Sequence, residues 1–165
     1  MAAQRTRIIA VAGGGAGNAG SKEEELAYQV GFLLARKGCH LLCGGLGGVM
    51  ERACEGAKAG GALTIGILPG RRPEEANFFV DIPLPTGLGE GRNLLVASMG
   101  EGLIAVGGRL GTLSEISFAL KQGKPVALLG HWEESFFFEL GGSCKKALSP
   151  EEAVEWILER VERKN

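Results

Sequence analysis

The chain has 165 residues, 45% of them hydrophobic, and a formal net charge of −1 at pH 7. That length can bury a real core in one domain. No apolar run approaches the roughly 18–20 residues of a membrane span, and the near-neutral balance argues against a nucleic-acid partner, which usually meets a basic face.

The opening residues, 1–12, are too short an apolar stretch for a secretory signal and read as a first strand, 7–12. A glycine turn, Gly13-Gly14-Gly15-Ala16-Gly17-Asn18-Ala19-Gly20, leads into a helical pattern over 22–37. A second strand, 40–43, breaks into Gly44-Gly45-Leu46-Gly47-Gly48 and restarts as a helix over 49–59. Strand 63–68 is followed by a loop carrying Arg71 and Arg72, then by an extended segment around 79–84 that suits an edge strand. Helix 92–99, strand 103–106, helix 113–122, strand 126–129 and helix 151–163 complete the pattern. Phe136-Phe137-Phe138 falls in a loop-like region, as core or as interface. Ser149-Pro150-Glu151-Glu152 opens the last helix as a capping box, with an inward stripe of Val154, Ile157, Leu158 and Val161.

The strands are short and almost continuously apolar, as buried parallel strands are. Strands alternating with helices imply right-handed crossovers and an α/β, doubly wound parallel sheet with helices on both faces, three layers in a single domain over residues 1–165. The glycines, 28 in all against a usual share of about 7%, follow no collagen period and cluster at strand ends.

Cys39, Cys43, Cys54 and Cys144 contain no C-x-x-C pair. Cys39-His40-x-x-Cys43 lies on a strand, where neighbours face opposite ways, and no second ligand pair follows, so no metal site is expected. Free thiols without an export signal fit the reducing cytosol.

Three strands therefore end in glycines before a helix, an arrangement that aims bare N–H groups and a positive dipole end at an anion. Gly15-x-Gly17-x-x-Gly20 matches the dinucleotide fingerprint in form. Strand two, however, ends in Cys43-Gly44-Gly45 with no acid before Glu51 to hold a ribose, which argues against NAD. The first turn also reads as a flexible surface turn, and the second as steric packing. In the third, Gly107-Gly108-Arg109-Leu110-Gly111-Thr112-Leu113-Ser114-Glu115, the run from Thr112 to Glu115 is itself a capping box, a role that would occupy Glu115 without a ligand. Arg92 stands at a helix start, where the dipole opposes a cation, and so invites an anionic partner. Arg71 and Arg72 suit a solvated loop better.

These residues resemble the lysine-decarboxylase-like superfamily, a Rossmann-like group containing the LOG ("Lonely Guy") phosphoribohydrolases and the molybdenum-cofactor carrier proteins. The likeness runs through GGLGGVME, GILPGRRPEE, GEGRNLLVASMGEGLIAVGGRLGTLSE and GKPVALL. It rests on the motifs G-G-x-x-G-[LV]-M and G-G-x-G-T-x-x-E, and is strongest to the small carrier-type branch. For a LOG enzyme, which splits nucleoside 5′-monophosphates into base and ribose 5-phosphate, the resemblance makes Arg92 and Glu115 catalytic, with Gly108, Gly111 and Thr112 on phosphate. The carboxylate would steady an oxocarbenium-like ribose or position water. The LOG pattern has Arg-Lys where this chain has Arg92-Asn93, and Pro where it has Val106, which puts hydrolysis in doubt. Carrier-type relatives share both departures and bind the molybdenum cofactor, a phosphate-bearing pterin.

The superfamily name does not bring pyridoxal phosphate with it. Lys121 and Lys124 belong to the wrong side of the sheet for a Schiff base. The expectation is a cytoplasmic binding or carrier-type protein for a phosphorylated small molecule, a nucleotide or molybdopterin-like cofactor. Its ligand would rest on Gly14, Gly15, Gly44, Gly45, Gly47, Gly48, Arg92, Asn93, Gly107, Gly108, Gly111 and Thr112. The alternatives are a phosphoribohydrolase using Arg92 and Glu115, and an oligomeric domain with vestigial turns. The relatives also imply a homo-oligomer, dimer or tetramer, with no membrane or nucleic-acid partner.

Overall fold

The computed structural model describes residues 5–163, so residues 1–4 of the opening stretch lie outside the described residues. In chain order the elements are β1 (Arg7–Gly13), α1 (Ser21–Arg36), β2 (Cys39–Cys43), α2 (Val49–Ala59), β3 (Thr64–Leu68), a 3₁₀ turn (Pro73–Glu75), β4 (Ile82–Pro85), a second 3₁₀ turn (Gly89–Arg92), α3 (Asn93–Met99), β5 (Leu103–Val106), α4 (Leu110–Lys121), β6 (Val126–Leu129), α5 (Glu134–Glu139), β7 (Lys145–Lys146) and α6 (Pro150–Glu162). The strands pair in parallel in the order β4-β3-β2-β1-β5-β6-β7. This is the expected Rossmann-like α/β sheet.

Alternation across the pleat explains why the central strands are apolar throughout. Ile9 and Val11 of β1 pack with residues of α1, α2 and α6, while Ala10 and Ala12 pack with α3, α4 and α5. Both faces of the sheet are thus covered, in three layers. Helices α1 and α2 approach through glycine. A Cβ on Gly31 would stand 2.0 Å from the Ala53 carbonyl oxygen, and one on Gly56 2.0 Å from that of Tyr28. No larger residue lets the backbones come that close.

After β4 the chain returns through α3 to form β5 on the far side of β1. The connections therefore diverge between β1 and β5, and the crevice beyond their carboxyl ends is where doubly wound sheets bind ligands. Lys124 works at the opposite end: its Nζ donates to the carbonyls of Ala97 (3.0 Å), Ser98 and Gly100 (2.6 Å), closing the end of α3.

Three elements differ from the sequence reading. The region of Phe136-Phe137-Phe138 is a helix, α5. Only Phe137 is buried, at 2% exposure, against Trp132 and Phe136, and one inward residue leaves no periodic stripe to read. Strand β7 is two lysines, with no apolar pattern. Lys146 Nζ ties down the loop before α5 through Gly130 O (2.7 Å) and Trp132 O (2.5 Å). Helix α4 begins at Leu110 rather than 113, hidden because Leu110 points outward at 81% exposure. The cap of α6 holds, with Ser149 Oγ accepting from the Glu152 N–H at 3.1 Å. The Glu152 carboxylate accepts from Leu148 N rather than Ser149 N.

Candidate functional site

The switch point between β1 and β5 opens a cleft of ≈ 240 Å³. It is lined by Gly13, Gly14, Gly15 and Asn18 from the first turn, Leu46 and Met50 from the second, and Glu90, Arg92 and Asn93 around the 3₁₀ turn before α3. Arg109, Gly111, Thr112 and Glu115 of α4 and its approach complete the wall. The structure thus brings together seven residues expected from sequence: Gly14, Gly15, Arg92, Asn93, Gly111, Thr112 and Glu115. Leu110, Gly111 and Thr112 are the first residues of α4, whose N–H groups have no carbonyl within the helix to bond.

The other expected glycines stand behind this wall. A Cβ on Gly48 would lie 2.4 Å from Gly14 O, one on Gly47 3.0 Å from Ala16 Cβ, and one on Gly44 2.7 Å from Arg92 Nη2. Val49 N–H donates to Gly14 O at 2.9 Å, so the second turn seats the first. Gly45 packs on Leu68 and Gly66 of β3. Gly107 is engaged at both ends: its N–H donates to Leu129 O at 2.9 Å, and its carbonyl accepts from Trp132 Nε1 at 2.6 Å. Gly108, at φ +99°, leaves room for the Thr112 side chain.

Five polar residues are buried among those described, and four of them, Arg92, Asn93, Thr112 and Glu115, line this cleft. Arg92 Nη1 donates to Asn93 Oδ1 and stands 3.7 Å from Glu115 Oε1. Asn93 Nδ2 donates to Ser114 Oγ (3.0 Å), which donates to Gly111 O (2.6 Å). Arg92 Nε is buried with no hydrogen-bond partner. A guanidinium has only donors, and burying one unpaired is expensive, so this atom calls for an acceptor such as an anion oxygen.

The earlier start of α4 settles what Glu115 does locally. It lies in the second turn of the helix, beyond reach of a cap, and Arg109 at the N-cap makes no side-chain capping bond. The residue lines the cleft instead, one carboxyl oxygen 3.7 Å from Arg92 Nη1. Burial pushes the carboxyl up to about 8, with Glu90 adding to the rise and Arg92 opposing it.

Arg109 is exposed, lines the cleft, and was not among the residues expected from sequence. The signal was present: it is a cation at a helix start, the same misfit that marked Arg92. Two residues, Arg109 and Leu110, stand between Gly108 and Gly111 where the G-G-x-G-T motif has one. Leu46 and Met50 look like core residues in sequence, and nothing there distinguishes them. Arg71 and Arg72 stay outside the cleft, Arg72 pairing with Glu75 at 3.3 Å. His40 Nδ1 accepts from Leu63 N–H at 3.2 Å, and Cys43 Sγ lies 3.5 Å from Cys54 Sγ. Among the described residues no group of three or more His, Cys, Asp or Glu is placed to hold a metal, and no helix is long and apolar enough to cross a membrane.

Comparison with known proteins agrees with this fold. The model of the SLOG cluster4 family matches residues 6–155. An uncharacterised protein of Archaeoglobus fulgidus is 48% identical over 115 residues, covering 70% of this chain and 76% of that protein. Among solved structures, the molybdenum cofactor binding protein of Rippkaea orientalis superposes with a TM-score of 0.89 at 41% identity, over 95% of this chain and 98% of that one. The molybdenum cofactor carrier protein of Chlamydomonas reinhardtii superposes with a TM-score of 0.87 at 38% identity, over 96% and 99%.

Proposed function

The chain belongs to the SLOG cluster4 family, and we propose that it is a cytosolic carrier-type protein that holds a phosphorylated small molecule, a nucleotide or a molybdopterin-like cofactor, in the cleft at the switch point. Arg92 is the observation that carries this reading: a guanidinium that lines a cleft walled by glycine turns and whose buried Nε has no hydrogen-bond partner. A phosphate oxygen is the acceptor it lacks, and charge-assisted bonds from arginine to phosphate are among the stronger ones.

The residues present fit such a group. A Cβ on Gly15 would meet nothing within 4 Å, so bare backbone borders open space there, and the Gly111 and Thr112 amides head α4. Arg92, Asn93, Gly14, Gly15, Gly111 and Thr112 would hold the phosphate end, while Gly44, Gly45, Gly47, Gly48, Gly107 and Gly108 shape the wall behind them. At ≈ 240 Å³ the cleft is smaller than the roughly 300–1,000 Å³ of sites that engulf a drug-sized ligand. It suits a phosphate and its neighbouring atoms better than a whole dinucleotide. The absence of an acid after β2 argues against NAD. Lys124, spent on the end of α3, argues against pyridoxal phosphate.

The test is a panel of AMP, GMP and molybdopterin read by native mass spectrometry and thermal shift. At least one is expected to bind and raise apparent stability, and Arg92→Met to abolish the effect. No binding by any of them would overturn the reading.

A second reading rests on Arg92 and Glu115 lying side by side at 3.7 Å, as in a phosphoribohydrolase. Incubation with AMP separates the two: release of free adenine that disappears in Glu115→Gln would make the protein an enzyme. Exposed apolar side chains on α3, α4 and α5 (Leu94, Met99, Leu110, Phe136 and Phe138) favour a homo-oligomer, which sedimentation of a clean monomer would refute.

A further inference from the structure

We propose that Glu115 grips the bound anion as a neutral carboxylic acid, donating its O–H to an anion oxygen, so that capture of the ligand takes up a proton wherever the ligand-free carboxyl is ionised. The inference rests on the anion-binding reading above and deepens it, since it makes the site's hold on its cargo depend on pH.

The geometry comes first. Glu115, 5% exposed, lines the same small cleft as Arg92 and the start of α4. An ionised carboxylate there would confront the anion at close range in a medium that screens poorly. The neutral acid removes that repulsion and adds a donor, which a carboxylate cannot be.

Arg92 favours the charged form of Glu115, but less than burial opposes it. Their one contact, at 3.7 Å, is longer than a hydrogen bond, and Nη1 donates to Asn93 Oδ1 instead. Glu90, on the 3₁₀ turn, pushes in the same direction as burial. Arg109, at the start of α4, lines the mouth as an exposed side chain. Cys43, at the end of β2, is within electrostatic reach of both Glu115 and Arg92. Gly13, Gly14, Gly15, Asn18, Leu46 and Met50 bring no charge.

An anion placed beside Glu115 raises its proton affinity further, so the bound state retains the proton over a wider pH range than the free one. The proton comes from solvent, stays on the Glu115 oxygen and is shared with the anion. It returns to solvent on release. A neutral acid also offers no negative charge to an oxocarbenium-like ribose, the role that the hydrolase reading gives it.

Sulfate is the probe, because it remains a dianion throughout the working range and contributes no titration of its own. Titrations at constant ionic strength, from about pH 6 to about pH 9.5, are expected to show affinity nearly flat at the acid end. Affinity should then fall towards about tenfold per pH unit at the alkaline end, the slope for one linked proton. Calorimetry in buffers of different ionisation heat should find uptake near zero at about pH 6 and approaching one proton at about pH 9. Glu115→Gln keeps a donor that cannot titrate, so it should bind with a flat profile and no proton uptake.

A flat wild-type profile, or a Glu115→Gln profile with the wild-type slope, would overturn the proposal while leaving the anion site standing. Failure of sulfate to bind at any pH would overturn the anion site as well. If Glu115→Gln does not fold, infrared difference spectra of wild-type protein carrying ¹³C-labelled glutamate decide the matter. Sulfate added at about pH 9 should convert a carboxylate band into a carboxylic-acid band, and no conversion would refute the idea.

Discussion

The contact between α1 and α2 and the floor of the cleft both depend on glycine, for opposite reasons. At Gly31 and Gly56 a Cβ would run into backbone carbonyl oxygen at 2.0 Å, whereas at Gly15 it would meet nothing within 4 Å. The first pair is bare so that protein can approach protein, whereas Gly15 borders the open space of the cleft. The two regions also treat polarity differently. The helix contact is built from Ala27, Val30, Ala53 and Ala57, while the cleft buries Arg92, Asn93, Thr112 and Glu115 together. Stability resides in the first region. The second gives some of it up for a preorganised polar site.

The largest expected effect follows from Glu115. Its folded-state carboxyl is raised from 4.5 to about 8. Below the lower value both the folded and the unfolded chain carry the proton, and nothing is lost. Between the two values the unfolded chain has released it while the fold retains it, so stability falls as pH rises, by at most about 1.4 kcal/mol per pH unit. Above the higher value this slope ends. Urea melts of wild type and Glu115→Gln across the window should diverge, the variant losing less. Parallel curves would mean that the cleft exacts no penalty and that the contrast between the regions is illusory.

Next comes the helix contact. Alanine in place of glycine inside a helix ordinarily gains about 1 kcal/mol. At Gly56 the clash with Tyr28 O lies in backbone, which cannot swing aside, and overpacking of this kind costs about 1–3 kcal/mol or more. Gly56→Ala is therefore expected to lower Tm by roughly 2–4 °C for each kcal/mol lost, with sulfate affinity of the folded protein unchanged. Gly15→Val should do the reverse, with Tm close to wild type and sulfate affinity down at least about tenfold, or about 1.4 kcal/mol. If Gly15→Val melts early and still binds, that turn is structural and the cleft reading fails.

Much of the architecture was legible because parallel strands buried on both faces read as plain apolar runs. β5 and β6 fall where the sequence puts them. Arg92 stood out because a cation at a helix start contradicts local electrostatics, and the structure finds it buried with an unpartnered Nε. What stayed hidden has physical causes. Gly31 and Gly56 sit inside clean helical patterns, where nothing announces a backbone on the other side. Leu110 begins α4 pointing outward, so the helix seemed to start later and Glu115 looked like a cap. The glycines of the first and second turns carry the same sequence signal whether they border open space or a neighbouring turn, and only the fold separates Gly15 from Gly48.

Gly44 tests the boundary between the two behaviours with the smallest expected effect. A Cβ there would stand 2.7 Å from Arg92 Nη2 and 2.8 Å from Met50 Sδ. Both atoms are ends of flexible side chains, which can give way where the Tyr28 carbonyl cannot. Gly44→Ala should therefore cost less than about 1 kcal/mol of stability, within the ordinary range for a substitution that makes no cavity and buries no charge. The displaced guanidinium is nevertheless the one that supplies the unpartnered Nε, so sulfate affinity should fall by roughly two- to tenfold, about 0.4–1.4 kcal/mol. A melt as early as that of Gly56→Ala would class the second turn with the helix contact, as packing alone. Wild-type affinity at wild-type stability would show that the position of Arg92 does not set anion binding, and the polar cleft would then lose the residue on which its function was argued.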